Sequence, residues 1–246
     1  MIAFSKALGA AQATLADLAA VPDPTLRAVG NFIYMPNGVS NLVGEYKIGA
    51  DISGAQLRAP SLKKFINYDL SLFDVNAAPS APPKYSPHYL SPYLLQPDEG
   101  LEALATDTAG AQDSIIIELS DGAVAPVSPA GALTIQATFS ITGVAYEWTN
   151  GSLTFTQTLP VGKYNCIGAR VESAGVVAAR FYPVGQSFRP GVIVKQTIGD
   201  EDLPYDRMGG KGVLFSFDQL TPPSIDILGT VGAKTGVVYL DLVPAA

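Results

Sequence analysis

The amino-acid sequence predicts an all-β protein, a β-sandwich or jelly roll that follows one short N-terminal α-helix. Three observations support this fold class. Apolar and polar residues alternate in many short segments after residue 30, which is the period of a strand. Glycine (24 residues) and proline (19 residues) are abundant, because many short strands need many turns. Charged residues make up only 15% of the chain, against roughly 25% in typical soluble domains.

The first twenty residues predict the one helix. Five apolar residues there recur at steps of four, three, four and three, and would share one helical stripe. They are Phe4, Leu8, Ala11, Leu15 and Leu18. Pro22 and Pro24 end the pattern, because proline cannot continue a helix. The sequence therefore predicts a helical arm at residues 1–24. This arm lies across its own sheet, or it contacts a neighbouring subunit or a membrane surface through Phe4, Leu8, Leu15 and Leu18.

The rest of the chain, residues 25–246, predicts a single β-sandwich domain. Its candidate strands are rich in β-branched and aromatic residues, and glycine, proline, asparagine or aspartate bounds them. They are 31–35, 41–48, 64–74, 114–119, 132–142, 144–149, 152–159, 163–172, 175–182, 191–198, 212–217, 224–228 and 236–243. Residues 98–113 could hold one or two turns of helix before the strand at 114–119.

A hairpin is predicted around Asn150-Gly151. An Asn-Gly pair between two apolar runs suits a two-residue type I′ turn, in which both residues have positive φ. The resulting register would place Trp148 opposite Leu153 on the buried face.

Residues 77–97 contain six prolines and cannot form a central strand. We expect a long Pro-rich loop with an extended backbone. Tyr85, Tyr89 and Tyr93 would form a contact surface there, unless the loop folds over its own domain.

Few residues suited to catalysis are present. The chain has one histidine, His88, and one cysteine, Cys166, which excludes multi-histidine metal sites and intrachain disulfides. Cys166 lies in an alternating apolar run and is expected to be a small buried hydrophobe. Candidate carboxylates for glycoside hydrolysis exist, but no sequence pattern pairs any two of them. These are Glu118, Glu147, Glu172, Asp226 and Asp241. We predict that the chain is not an enzyme and needs no cofactor.

Charge further limits the partners. The net charge is −7 and the basic residues are scattered, apart from Lys63-Lys64, so direct nucleic-acid binding is not expected. No stretch reaches the roughly 18 apolar residues of a membrane span.

One acidic turn, with Asp200, Asp202 and Asp206, could hold Ca²⁺, but a solvated acidic turn is favoured because the spacing matches no EF-hand.

The whole organisation resembles the jelly-roll coat proteins of tailless icosahedral viruses, with a bacteriophage as the expected kind. The resemblance is architectural and covers most of the chain. It rests on the Ala-rich arm at residues 3–20, on eight or more strands joined by long Pro-rich loops, and on the segments GVVAARFYPVGQSFRPGVIV, GVLFSF and GVVYLDLV. No functional residue is carried over from it. The arm has only Lys6 as a basic residue, so the resemblance implies a coat around a membrane or a motor-packaged DNA genome. The length favours a single jelly roll over a double one.

Three function classes remain open. The first is a capsid subunit that assembles with copies of itself and with other capsid proteins, in the host cytoplasm, into the virion shell. Low charge favours it, because protein interfaces are depleted in charge at their centres. The second is a β-sandwich binding module, such as a virion spike, an adhesin or a carbohydrate-binding domain. The third is a carboxylate-dependent hydrolase.

Overall fold

The structure is a computed structural model that describes residues 2–8, 12–39, 41–48, 52–62, 89–107, 113–145, 147–196 and 204–245. It confirms an all-β protein: besides a 3-10 helix at Pro204–Asp206, the regular structure in these ranges is β-strand. None of the described helical residues forms a segment long and apolar enough to cross a membrane.

The chain divides into two compact units of similar length, Ile2–Ala123 and Val124–Ala246. We call them the N-terminal unit and the C-terminal unit. Sequence analysis predicted an arm at residues 1–24 and one domain at 25–246, so this boundary differs from the predicted one. The segment at the boundary, residues 120–132, is rich in alanine, glycine, proline and serine. Linkers share this composition with the many turns of the chain, so it does not by itself mark a domain boundary.

The N-terminal unit contains nine strands among its described residues. They are β1 (Ile2–Leu8), β2 (Gln12–Asp17), β3 (Ala28–Val29), β4 (Phe32–Tyr34), β5 (Asn41–Ile48), β6 (Ile52–Arg58), β7 (Tyr93–Leu94), β8 (Gly100–Asp107) and β9 (Asp113–Ser120). One sheet has the order β1-β9-β5-β7. In the other sheet β8 is central, since Ala105 pairs with Ala16 of β2 on one side and with Ala55 of β6 on the other. The short strand β4 also pairs with β8, and β3 pairs with β4.

The C-terminal unit also contains nine strands among its described residues. They are β10 (Leu133–Gly143), β11 (Thr149–Ser152), β12 (Thr154–Phe155), β13 (Lys163–Glu172), β14 (Val176–Tyr182), β15 (Gly191–Lys195), β16 (Phe215–Asp218), β17 (Ser224–Gly229) and β18 (Gly232–Pro244). One group of strands pairs in the order β10-β18-β13-β16. A second group pairs in the order β11-β17-β14-β15. A two-residue parallel pairing, Val171–Val194 and Glu172–Lys195, joins β13 to β15 and links the groups. An isolated bridge between Ala145 and Gly229 also brings the ends of β10 and β17 together.

The two units repeat the same order of strand pairing. In each unit the first strand pairs with the last one, β1 with β9 and β10 with β18. The last strand also pairs with β5 or β13, and that strand pairs with the short β7 or β16. The second strand pairs with the penultimate one, β2 with β8 and β11 with β17, which in turn pairs with β6 or β14.

Both groups of the C-terminal unit contribute to one apolar core. The inward residues of β10, β13 and β18 belong to the same buried cluster as those of β14, β15 and β17. Aromatic rings connect the groups directly, since the ring centroids of Phe181 in β14 and Phe215 in β16 are 5.2 Å apart. All nine strands belong to one hydrogen-bonded sheet, which curves round this core into a nearly closed, barrel-like arrangement.

The predicted N-terminal helix is wrong, because residues 2–8 and 12–17 form the strands β1 and β2. A step of four residues is a multiple of the strand period as well as close to one helical turn. Phe4 and Leu8 therefore satisfy both patterns. The Ile-rich strand β9 decides between them, since it pairs with β1 along all seven residues from Ile2–Leu119 to Leu8–Asp113. Tertiary pairing overrides the helix propensity of alanine.

The hairpin turn at Asn150-Gly151 is also wrong. Both residues lie inside β11, neither has positive φ, and they pair with Asp226 and Ile225 of β17. Gly151 is needed for a close approach, because a Cβ atom there would overlap the side chain of Ile141.

The helical turns predicted within residues 98–113 are replaced by β8, which has strand partners on both sides. The predicted strand 64–74 lies outside the described residues, as does most of the Pro-rich loop 77–97, of which Tyr93–Leu94 forms β7.

Candidate interaction surface

Of the predicted contact residues whose side chains the structure describes, two are buried and two are half-buried. Leu18 and Tyr89 are buried, with 2% and 4% of their surface exposed. The Tyr89 hydroxyl donates a hydrogen bond to Oε2 of buried Glu118 over 3.0 Å. Leu15 and Tyr93 are half-buried in β2 and β7. The backbones of Phe4 and Leu8 lie in β1, whereas their side chains and Tyr85 are outside the description.

The acidic turn proposed for Ca²⁺ can be assessed at one of its three residues, since Asp200 and Asp202 lie outside the described residues. Asp206 is buried, its Oδ1 atom lies 2.6 Å from Lys211 Nζ, and its Oδ2 atom accepts a hydrogen bond from the Ile193 amide. Asp206 therefore serves a buried ion pair. No metal-binding group of three or more His, Cys, Asp or Glu side chains occurs in the described part of the chain.

Cys166 is fully buried in β13, as predicted. Burial raises the pKa of its thiol far above the ordinary value. A thiol in this state is neutral, so it packs as a hydrophobe and is a poor nucleophile. His88 lies outside the described residues.

A buried ion-pair network covers the outer face of the β11-β17-β14-β15 group. Asp226 alternates along β17 with Ile225 and Ile227 of the core, so it points away from the core. Its carboxylate accepts hydrogen bonds from Arg180 Nε (2.9 Å), from Arg189 and from Asn150 Nδ2 (2.7 Å). Asp226 and Arg180 are 2% and 0% exposed. The sequence suggested Asp226 as a reactive carboxylate, but the structure places it between two guanidinium groups.

Aromatic rings complete this network. The Arg180 guanidinium carbon lies 4.1 Å from the centroid of the Trp148 ring, and the Arg189 carbon lies 3.9 Å from that of Tyr182. Trp148 is half-buried on the outer face, where it covers an arginine. A cation held over an aromatic face is stabilised further where water is excluded.

A second buried ion-pair network covers the outer face of the β10-β18-β13-β16 group. We call the networks of Asp226 and Asp241 the two clamps. Asp241 of β18 is fully buried and accepts two hydrogen bonds from Arg207, at 2.7 and 2.9 Å. Thr134 Oγ1 and the backbone amide of Met208 also donate to it. Burial would raise the pKa of Asp241, but the hydrogen bonds from Arg207, Thr134 and Met208 outweigh it and lower the pKa below its ordinary value. The segment after the 3-10 helix is thereby fixed to the sheet.

Gly168 makes this second clamp possible. It lies at a register shift between β13 and β18, and a Cβ atom there would be 2.5 Å from Asp241 Oδ2 and 2.6 Å from the Met208 nitrogen. Backbone atoms cannot move aside as a flexible side chain can.

We therefore expect Gly168→Ala to destabilise the C-terminal unit by about 1–3 kcal/mol, measured by urea unfolding. Gly122→Ala, at the end of the N-terminal unit, is the control for the substitution itself. Its Cβ would meet open space without positive φ, so the variant should stay within about 0.5 kcal/mol of wild type. Equal stability of the two variants would contradict the role given to Gly168.

Apolar side chains project from three loops at one end of the C-terminal unit. These loops are residues 156–162, 183–190 and 219–223, and we call them the loop end. Their tips are Val161, Val184 and Leu220, which are 87%, 66% and 75% exposed. The strands confirm a common end, since Lys163 pairs with Asp218 and Tyr182 pairs with Ser224.

Hydrogen bonds hold the loop end together. The Gln219 amide donates to the Gly162 carbonyl over 3.0 Å, and Gln186 Nε2 donates to the Ser216 carbonyl over 2.6 Å. The one charged residue in these loops, Arg189, is buried and bound to Asp226, so the exposed part of the loop end carries no charge. Sequence analysis missed it, although the tripeptide Pro-Val-Gly occurs twice, at 160–162 and 183–185. A valine between proline and glycine lies in a turn, where an apolar residue is exposed.

A groove of about 600 Å³ lies on the outer face of β10, β13 and β18, and hydroxyl and amide side chains line much of it. These include Thr138, Ser140, Thr154, Ser173 and Gln196. Such a lining offers neutral hydrogen-bonding groups, with Glu172 as the one charged residue. Comparison of the chain with models of protein families, with curated proteins and with solved structures finds no match.

Proposed function

We propose that the chain is a self-assembling coat subunit of a virus, built from two jelly rolls in tandem. The observation that carries this proposal is the repeated order of strand pairing. A jelly roll has eight strands in two sheets. The first, eighth, third and sixth strands form one sheet, and the second, seventh, fourth and fifth form the other.

The C-terminal unit fits this order when the short β12 is left out of the count. Its groups β10-β18-β13-β16 and β11-β17-β14-β15 then occupy all eight positions. The N-terminal unit fits it with β3 and β4 as an insertion. Its described strands occupy seven positions, as β1-β9-β5-β7 and as β2-β8-β6. Two such units in one chain support a double jelly roll in place of the single one predicted from length.

A fold alone does not determine function, so the composition and the outer faces must support the same conclusion. Only 15% of residues are charged, and several of these charged side chains are buried in the clamps of Asp226 and Asp241. The surface that remains is poor in charge, as at the centre of a protein interface. Jelly rolls occur in viral capsids. The partners are therefore copies of this chain and other capsid proteins in the virion, with assembly in the host cytoplasm.

Native mass spectrometry and electron microscopy of the purified protein test this proposal. We expect trimers or larger closed assemblies, because three chains with two similar units each can occupy a sixfold position of a shell. The distribution should shift to larger species as protein concentration rises. A monomer that persists at high concentration would contradict self-assembly and would favour the alternative of a β-sandwich binding module.

A further inference from the structure

We propose that the loop end of the C-terminal unit docks on a lipid bilayer by inserting Val161, Val184 and Leu220 into the interfacial region. The three tips belong to different loops and are the exposed large apolar side chains of those loops, each at least 66% exposed. Their placement at one end follows from the pairing of Lys163 with Asp218 and of Tyr182 with Ser224. This inference does not depend on self-assembly.

The pattern of exposure favours lipid over a protein partner. A stable protein interface buries about 1,200–2,000 Å² and uses some 20–30 residues on each side. The loop end offers three isolated aliphatic side chains, with polar or small residues such as Gln157, Gly185 and Gln219 between them. A rigid protein surface would need a separate pocket for each tip. A fluid bilayer accommodates separate apolar tips without such complementarity, since its acyl chains rearrange around them.

The loop backbones are already fixed in a protruding conformation. Gln219 donates to the Gly162 carbonyl, and the Tyr164 hydroxyl donates to the Pro160 carbonyl over 2.9 Å. The Leu220 amide donates to Asp218 Oδ1, also over 2.9 Å. Little conformational freedom remains to be lost on binding, so burial of the tips is not offset by ordering of the loops.

Charge defines the kind of lipid surface. Binding to anionic membranes relies on exposed clusters of lysine and arginine, and the one basic residue of the loop end, Arg189, is buried against Asp226. At its border Lys163 and Asp218 are cross-strand neighbours of opposite sign. Docking should therefore occur on neutral, zwitterionic bilayers, and it should depend little on salt or on the fraction of anionic lipid.

Co-sedimentation of the purified full chain with phosphatidylcholine vesicles tests the proposal. The test variant is V161S/V184S/L220S. The matched control is V144S/V231S, which removes exposed valines from the opposite end of the same unit, where β10 and β17 end. We expect the wild type and the control to bind equally, and the triple variant to bind about tenfold less or weaker still, because the transfer of three aliphatic side chains is lost. Replacing a third of the lipid with phosphatidylglycerol should leave wild-type binding unchanged.

The oligomeric state of each variant is measured in parallel, which separates this inference from the proposed function. Loss of vesicle binding with unchanged oligomers supports lipid docking. Absence of wild-type binding at high lipid concentration overturns it, as does equal loss in the control variant. A triple variant that binds vesicles normally but changes oligomer size also overturns it, and would identify the loop end as a contact between copies of this chain.

Discussion

Replacing Asp226 with alanine is expected to destabilise the C-terminal unit by about 3–5 kcal/mol. The carboxylate is 2% exposed and is the acceptor for Arg180, Arg189 and Asn150. Its removal would leave two guanidinium groups next to each other without their shared counterion. Arg180, which is fully buried, cannot reach water without disrupting the packing under Trp148.

Asp226→Asn distinguishes charge from shape at the same position. The amide has nearly the volume of the carboxylate, but it carries no charge to neutralise the two arginines. Its NH2 group would also face one arginine, donor against donor. We expect it to recover only a small part of the loss. Glu147→Ala is the control, because Glu147 is an exposed carboxylate in the same unit and its loss should change stability by no more than about 0.5 kcal/mol.

The measurement is urea unfolding followed by the fluorescence of Trp148, the only tryptophan, which reports on this network directly. Since the chain has two units, the transition assigned to the C-terminal unit is the one that changes the Trp148 signal. A loss below about 1 kcal/mol for Asp226→Ala would show that the arginines find other partners, and the network would then not be the clamp described here.

Strands rich in apolar residues and bounded by glycine were predictable from the sequence. The predicted ranges 41–48 and 163–172 match β5 and β13, although a register shift interrupts the alternation of each strand. The two-unit organisation was not predictable, since it depends on pairings such as β1 with β9 that join residues more than a hundred positions apart. Length and alternation contain no information on that pairing.

Wrong predictions occurred where one local pattern suits two structures. Asn150-Gly151 is a turn signal in isolation, but the side chain of Ile141 lies where a Cβ atom of Gly151 would be. The alanine and glutamate residues of 100–107 favour a helix in isolation, yet β8 lies between partner strands that supply its hydrogen bonds. Tertiary contacts decide both cases.

The clamps were visible in the sequence only in part. Asp226 is the one charge of β17 and Asp241 lies within the apolar run VVYLDLV of β18, which marks both as buried groups that need a partner. Their arginines lie 34 to 46 residues away in sequence, so spacing could not identify them. The exposed tips of the loop end had a local signal in the repeated Pro-Val-Gly, but their common location depends on the strand pairing.

The clamp at Asp241 predicts a specific dependence of stability on pH. Hydrogen bonds from Arg207, Thr134 and the Met208 amide lower the pKa of the folded state below the ordinary aspartate value of 3.8. The unfolded chain therefore takes up a proton first as the pH falls. The stabilisation is complete above about pH 5 and is lost as the pH drops through 3.8 toward the lowered pKa.

Asp241→Asn removes this titration while it keeps the shape of the side chain. Near pH 7 we expect the variant to be about 2–4 kcal/mol less stable than wild type, since Asp241 is fully buried and Arg207 loses its bidentate partner. Because wild type alone loses this contribution in acid, the difference between the two proteins should shrink as the pH falls from 5 to 3. Asp121→Asn, at an exposed position, should show no such convergence.

Amide hydrogen exchange locates the effect in the molecule. The Met208 amide donates to Asp241 and the Gly209 amide donates to the Ile167 carbonyl, so both should exchange faster in Asp241→Asn at neutral pH. Exchange in β17 should accelerate only by the factor that the loss of global stability dictates, whereas the Met208 and Gly209 amides should gain an additional local increase, because Asp226 and its arginines form a separate network. If protection decreased equally in both places, the clamp would not be local, and acid would destabilise the C-terminal unit as a whole instead of first releasing the segment around Met208.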